Sequence, residues 1–440
     1  MSVGSTEEVH KFHRFNLLNL RNMWAQIAWT FATRLLMIFN SVVAGIIVAR
    51  WLGAKGVGEL AVINIAVATL VQLGSFGLPS SSTYFIAQDQ ERFRSAAINS
   101  LIFALPVGSI LALALSATGA FRPDWFGFVS PELISIASIS IPFQLITLIG
   151  LNILLGLGKV KEFNLLDLAG QSFVLINAVL VLIFLNRGLG TLVTLNTAAA
   201  ILVSVVVSTL LVLSARTLAQ SQWRADMSLL RRMIAYGIKF HVSILAGAIM
   251  LRADLLVVNH FRGPEEAGVY SVASQFALLL MLLPGVIATL LFPRVTAEQD
   301  ARGETTCLVT RYTTFIMFLC CLAAVPFSLL LPVLYGAAFS DATKLLLILL
   351  PGVYLMGLES VLVQHFNALG LPRAIPVFWV ITLALNLVLV FTLVPRFGAQ
   401  GAAIASSISY AAIFALVALH FHTSTGRSFT EVFVLGSLRG

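Results

Sequence analysis

Between residues 23 and 421 the chain is a succession of apolar runs, each about as long as a bilayer's hydrocarbon core is thick. A helix needs about 20 apolar residues to cross that core. Twelve runs qualify: 23–49, 59–85, 96–119, 132–156, 163–185, 190–214, 233–260, 267–292, 308–334, 343–369, 374–394 and 400–421. They are continuously apolar rather than alternating, which excludes the strands of a membrane barrel. In lipid, a helix satisfies its own backbone groups within one segment. Composition agrees: of 440 residues 59% are hydrophobic and 10% charged, against about 25% charged in soluble domains. Mean hydropathy is +0.96. The expectation is an all-α, polytopic membrane protein of about 12 helices.

The net charge of +8 would suggest nucleic acid in a soluble chain. Here it bears on sidedness instead, and no nucleic-acid partner is expected. With the N-terminus placed in the cytoplasm, the inner segments hold 17 Lys and Arg and the outer ones 7. Inner segments carry the basic excess in most membrane proteins, so both termini are expected to be cytoplasmic. Among the inner residues are Lys11, Arg14 and Arg21 near the start, and Arg216, Arg224, Arg231 and Arg232 in the longest loop. No short apolar run precedes a small-residue cleavage site near the N-terminus, so the first span is expected to serve as an uncleaved insertion signal.

An internal repeat organises the twelve runs. ARWLGAKGVGELA (49–61) and NHFRGPEEAGVYS (259–271) place Gly53 on Gly263 and Gly58 on Gly268, an offset of 210. Asn177 and Asn386, and Arg187 and Arg396, are each 209 apart, and Gly158 and Gly370 are 212 apart. Two six-helix halves follow, 1–215 and 233–440, joined by a basic linker at 216–232. Six spans is an even number, so both halves enter the membrane the same way. They are parallel repeats, expected to surround a central cavity.

Ionisable residues at membrane depth are costly and mark functional positions. Arg34 lies near the middle of the first span, on one helical face with Thr30, Ser41 and Gly45. Such a small, polar face lines a cavity or another helix. Its alternatives are a structural ion pair or an Arg that snorkels to the interface. In the seventh span His241, Arg252 and Asn259 are spaced to align on one face of a straight helix. Ala248 leaves room beside Arg252, although Leu245 is bulky and apolar on that face. Arg252 then faces the transport path or makes a buried pair with another helix. Asp254 and Glu359 are clear intramembrane acids, and Asp167 lies near a span end. These acids neutralise an Arg or couple to H⁺ or Na⁺. Arg50, in the first outer turn, reads as an interfacial anchor or an outer-gate contact.

Other features carry blander readings. Gln72, Gln275, Asn177 and Asn386 more often make helix–helix hydrogen bonds than bind ligands. Cys307, Cys320 and Cys321 lack metal or disulfide spacing. GLGKV at 156–160 imitates the end of a phosphate-binding loop but has Ile153 where glycine is required and Val160 where Ser or Thr is required. No catalytic constellation or cofactor is expected, ion coupling apart.

Three stretches carry a family resemblance: ARWLGAKGVGELAV with GSFGLPSSSTYFIA following; RADLLVVNHFRGPEEAGVYSVASQF with LLPGVIATLLFPRV; and LNLVLVFTLVPRFGAQGAAIASSISY. In this order they resemble the polysaccharide-transport branch of the multidrug/oligosaccharidyl-lipid/polysaccharide (MOP) exporter superfamily. The resemblance covers nearly the whole chain. It implies a non-enzymatic flippase moving undecaprenyl-pyrophosphate-linked oligosaccharide, for O-antigen or exopolysaccharide, outward across a bacterial inner membrane. A polysaccharide polymerase is then a possible partner. In such proteins a cationic cavity receives the anionic head group, and Arg34 and Arg252 match that role. Lipid II flippases of the superfamily have two extra spans. The alternative is an ion-coupled antiporter for small molecules or drugs, in which Asp254 and Glu359 would dominate.

Overall fold

The computed structural model describes residues 5–127, 129–217, 223–298, 300, 302–370 and 372–434, without the side chains of 5–28, 215–217, 239–240, 290, 292–293 and 296–298. The side chains of Lys11, Arg14, Arg21 and Arg216 therefore lie outside the described residues, as does part of the basic linker.

The described residues are almost entirely helical, without strands. Ten helices are long and apolar enough to cross a membrane. Two of them are double. Trp29–Gly74 breaks at Gly53 (φ 66°, ψ −174°), and Ala374–Thr425 breaks at Gly398 (φ 58°, ψ −139°). Positive φ with extended ψ is open to glycine and costly for other residues. Each glycine thus divides one apolar helix into two span-length pieces, and twelve spans result. The first and second lie in Trp29–Gly74, and the eleventh and twelfth in Ala374–Thr425. Between them come Gln90–Phe121, Pro131–Gly156, Val160–Phe184, Leu189–Ser214, His241–Arg262, Pro264–Thr289, Glu304–Ser328 and Ala337–Ala368 as the third to tenth. Leu113, Phe184 and Val388 on their outer faces are exposed, as lipid-facing side chains are.

The sequence offset has a backbone counterpart. Gly263 (φ 87°, ψ 174°) separates the seventh and eighth spans as Gly53 separates the first and second. Gly127 and Gly336 also share positive φ, 209 residues apart, after the third and ninth spans. Gly158 and Gly370 do so after the fourth and tenth.

Several spans are broken within the membrane where no single-run reading anticipated it. The second ends at Gly74 and resumes as Leu78–Gln88 after positive φ at Phe76 and Gly77. The seventh consists of Met227–Met250 and Ala253–Arg262, with Arg252 (φ −139°, ψ −23°) at the break. The eighth consists of Pro264–Leu279 and Leu282–Glu298. Irregular backbone at membrane depth is tolerated where protein or a cavity covers it.

Candidate functional site

The first span meets the fifth through three polar rungs. Asn164 Nδ2 donates to Thr30 Oγ1 at 2.8 Å, Arg34 Nη1 to Asp167 Oδ2 at 2.9 Å, and Asn40 Nδ2 to Ser172 Oγ at 2.9 Å. The polar face of the first span is thus partly a helix seam, and Arg34 has a carboxylate partner. The pair is not fully enclosed by protein: the Arg34 and Asp167 side chains are 45% and 25% exposed. Pairing lowers the cost of holding two charges at this depth.

Asp167 also lines a cavity of about 510 Å³. Its walls come from the second, fourth, fifth and sixth spans, with Arg252 from the seventh. The lining includes the polar side chains of Asn64, Gln72, Gln144, Gln171, Asn196, Ser140, Thr147 and Thr197. Apolar side chains, Ile63, Val67, Leu148 and Phe173 among them, make up most of the lining. Volumes of about 300–1,000 Å³ are usual for small-ligand sites. The amides offer both donors and acceptors. Arg252 and Asp167 are the two charged residues lining the cavity, and Arg34 pairs with Asp167. The three together leave one net positive charge. The cavity lies on the side of spans one to six, with one cation contributed from across the interface.

Arg252 stands where the seventh span breaks, and it occupies the N-cap position of Ala253–Arg262. In the first turn of that helix the Leu255 N–H donates to the Asp254 carboxylate at 2.8 Å, an acid placed where the helix dipole favours it.

The structure does not bring His241 and Asn259 to this cavity. The expected alignment required a straight helix, and the break at Leu251–Arg252 interrupts it. His241 is buried against Phe76, their rings stacked with centroids 6.4 Å apart. Asn259 Nδ2 donates to the Phe126 carbonyl at 2.8 Å, outside the cavity. Ser41 accepts from Gln275 Nε2 at 3.0 Å, linking the first and eighth spans. Asn177 and Asn386 bond Asn196 Oδ1 (2.9 Å) and Ser409 Oγ (3.2 Å), so both join helices.

Arg50 belongs to a seam between spans one to six and seven to twelve, on the face expected to be outer. Its Nε donates to the Leu334 carbonyl at 2.9 Å, and its Nη2 to the Val333 carbonyl. His260 Nδ1 lies 3.0 Å from the Asp124 carbonyl. Residues 50 and 260, and residues 334 and 124, both differ by 210. One contact therefore occurs twice, once in each direction across the seam. Arg122 donates Nε and Nη2 to the Asp124 carboxylate at 3.2 Å each. Those hydrogen bonds hold the Asp124 carboxyl below the usual carboxylate range.

The two intramembrane acids sit apart from the cavity. Asp254 is fully enclosed, accepting from Ser406 Oγ at 2.8 Å, from the Leu255 N–H at 2.8 Å and from the Tyr270 hydroxyl. It partners hydroxyls and a backbone N–H rather than an Arg; of the three acids, Asp167 is the one paired with an Arg. Glu359 is 1% exposed, and its Oε1 has no hydrogen-bond partner among the described residues. No cluster of three or more His, Cys, Asp or Glu side chains suited to a metal occurs among the described residues.

Asp167 and the amides Gln144, Gln171, Asn64 and Asn196 were not singled out from the sequence as cavity groups. Polar side chains placed mid-span in otherwise apolar runs are the signal that would have found them.

Comparisons with known proteins place this geometry. The fold matches a lipid II flippase MurJ in its inward closed conformation, with a TM-score of 0.73 at 18% identity, covering 93% of this chain and 89% of that one. It also matches an inward-facing multidrug resistance MATE family transporter of the MOP superfamily, with a TM-score of 0.70 at 17% identity, covering 89% and 94%. By sequence the chain is 26% identical over 184 residues to a putative O-antigen transporter of Shigella flexneri, covering 40% of this chain and 44% of that protein. It is 25% identical over 178 residues to a probable low-salt glycan biosynthesis flippase of Haloferax volcanii, covering 39% and 37%. These matches span less than half the length of either relative. The polysaccharide biosynthesis protein family profile matches residues 23–299, well over half of the sequence. This multi-pass membrane protein therefore belongs to that family.

Proposed function

We propose that the protein flips a lipid-linked oligosaccharide across the membrane by alternating access. The observation that carries this reading is the amide-lined cavity with Arg252 and the Arg34–Asp167 pair at its wall. Amides suit sugar hydroxyls, and guanidinium groups suit phosphate oxygens. The substrate class is an undecaprenyl-pyrophosphate-linked repeat unit for O-antigen or exopolysaccharide. The Shigella and Haloferax relatives, named as an O-antigen transporter and a glycan flippase, support it.

In this mechanism the head group and sugars enter the cavity while the lipid tail stays in the bilayer. The units 1–215 and 233–440 rock against each other, and the outer seam at Arg50 and His260 opens. Transport runs outward across a bacterial inner membrane, with both termini cytoplasmic. A pyrophosphate diester carries two negative charges. Their exit from a negative-inside cell is favoured by about 4.6 kcal/mol per 100 mV if uncompensated. Coupling to H⁺ or Na⁺ is compatible with this arithmetic but not demanded by it. A polysaccharide polymerase is the partner that would consume the product.

A second reading, an ion-coupled antiporter for small molecules, draws its support from the enclosed carboxylates Asp254 and Glu359. One experiment separates the two. In a strain lacking the gene and any redundant flippase, lipid-linked oligosaccharide should accumulate on the inner leaflet. The wild-type gene should clear it, and Arg252→Ala should not. Clearance without the gene sinks the flippase reading.

A further inference from the structure

The N-terminal half of the ninth span carries an Arg that does not line the transport cavity. Arg311 is 7% exposed and lies seven residues into Glu304–Ser328. It lines a second pocket, of about 240 Å³, with Thr314, Phe315, Phe318, Tyr354 and Phe433. Its Nη2 donates to the backbone carbonyl of Glu431, and its Nε has no partner among the described residues. A buried guanidinium with an unused donor is costly unless something supplies an acceptor.

The neighbouring acids are already engaged. Glu304 pairs with Arg427 at 2.7 Å. The Glu431 carboxylate accepts from the Ser428 N–H at 2.9 Å in a capping box. That bond and the Ser428 hydroxyl keep it below the usual carboxylate range. Asp300 accepts from the N–H groups of Glu304, Thr305 and Thr306. None of these carboxylates hydrogen-bonds Arg311 among the described residues.

The rest of the pocket has a different character. Phe315 and Phe318 are 47% and 56% exposed, on the lipid-facing side of the span. They continue from Arg311 at helical spacing, about 6 and 10 Å further into the membrane. Phe433, on the short helix Phe429–Phe433, closes the pocket from the other side. A cation at one end and an aromatic trough running into the bilayer make a complement to one molecule class.

We infer that this pocket binds an anionic phospholipid, its phosphate on Arg311 and an acyl chain along Phe315 and Phe318, beneath the C-terminal helix Phe429–Phe433. The site is independent of the transport cavity, which holds Arg252 and not Arg311. The phospholipid comes from the leaflet on the side of the C-terminal segment.

The test uses the purified full chain in a neutral detergent, with the unfolding midpoint as readout. Short-chain phosphatidylglycerol should raise the midpoint more than short-chain phosphatidylcholine does. The preference should be about fivefold in half-saturating concentration, the value of one basic side chain at an anionic surface. Arg311→Gln should abolish the preference, and Arg252→Gln should retain it. Equal shifts with both lipids overturn the site. So does loss of the preference in Arg252→Gln, which would put the lipid in the transport cavity. Inorganic phosphate reproducing the shift at equal concentration would mean a free-anion site and would overturn the phospholipid. Should Arg311→Gln fail to fold, Phe318→Trp keeps the question open to measurement. The fluorescence gained over the parent should be quenched more by brominated phosphatidylglycerol than by brominated phosphatidylcholine. Equal quenching overturns the proposal.

Discussion

Gly58 and Gly268, 210 residues apart, lie against each other at the seam between the second and eighth spans, where a side chain on either would strike the other helix's backbone. A Cβ on Gly58 would come 1.7 Å from the Pro264 carbonyl oxygen, and one on Gly268 would come 2.0 Å from that of Ala54. Residues 54 and 264 are themselves 210 apart, so an approximate two-fold axis passes between the glycines. Neither obstacle is a movable side-chain tip. Gly58→Ala or Gly268→Ala should hold the outer ends apart and disfavour the closed seam. Overpacking of this kind costs about 1–3 kcal/mol, roughly a 5- to 150-fold change in population. Spin labels on the outer ends of the second and eighth spans would report it, and unchanged distances in both variants would refute it.

The paired contacts at residues 50 and 260 predict unequal effects. Arg50 donates to two carbonyls with a permanent charge, whereas His260 makes one bond. Arg50→Ala should open the seam more than His260→Ala. Arg50 is exposed, so its loss should cost only about 1 kcal/mol. Labelling of a seam cysteine by an impermeant reagent checks the order, and equal labelling rates in the two variants would contradict it.

Arg34 and Asp167 should behave as a unit. Arg34→Ala leaves a carboxylate without its cation in the membrane and should lower transport at least about tenfold. If neutralisation of Asp167 is the main role, Arg34→Ala/Asp167→Asn should recover part of that loss. Coupling between contacting charges is commonly about 0.5–3 kcal/mol. Additive losses in a double-mutant cycle would assign Arg34 a direct part in substrate binding.

The two enclosed acids should differ in sign. Asp254→Asn disturbs bonds to Ser406, Tyr270 and Leu255. It should destabilise the fold by about 1–3 kcal/mol. Glu359 has an unpartnered oxygen, so Glu359→Met should be neutral or stabilising. Unfolding midpoints in detergent decide. A large drop for Glu359→Met would reveal a partner or ion that this carboxylate serves.

Acid should affect the outer loop only at low pH. The Asp124 carboxyl is depressed by Arg122, so its contribution is full above the unfolded value, about 3.9. It is lost as pH falls through the lower folded value. The midpoint difference between wild type and Asp124→Asn should stay constant from about pH 8 to 5 and close below about pH 4. A difference that fades near neutrality would contradict this ordering.

The sequence carried the twelve spans because lipid imposes a length and a composition on each. It carried the repeat because Gly53 and Gly263 need backbone angles that other residues resist. It also singled out the mid-span charges: Arg252 lines the cavity, and Arg34 pairs with Asp167, which lines it too. Their surroundings were not legible. Arg34 and Asp167 are 133 residues apart, and no local pattern links them. The break at Leu251–Arg252 has neither Pro nor Gly to announce it. A straight-helix argument therefore grouped His241, Arg252 and Asn259, which the structure separates. Helix phase holds only along an unbroken helix.

That break has a mechanical consequence. Ala253–Arg262 is a ten-residue rod, about 15 Å long. At its near end Arg252 faces the cavity, and toward its far end Asn259 and His260 grip the Phe126 and Asp124 carbonyls. A rigid rod pivoting at Arg252 cannot move one end alone. A displacement of Arg252 along the rod axis is therefore carried through it to the contacts of Asn259 and His260 at the seam.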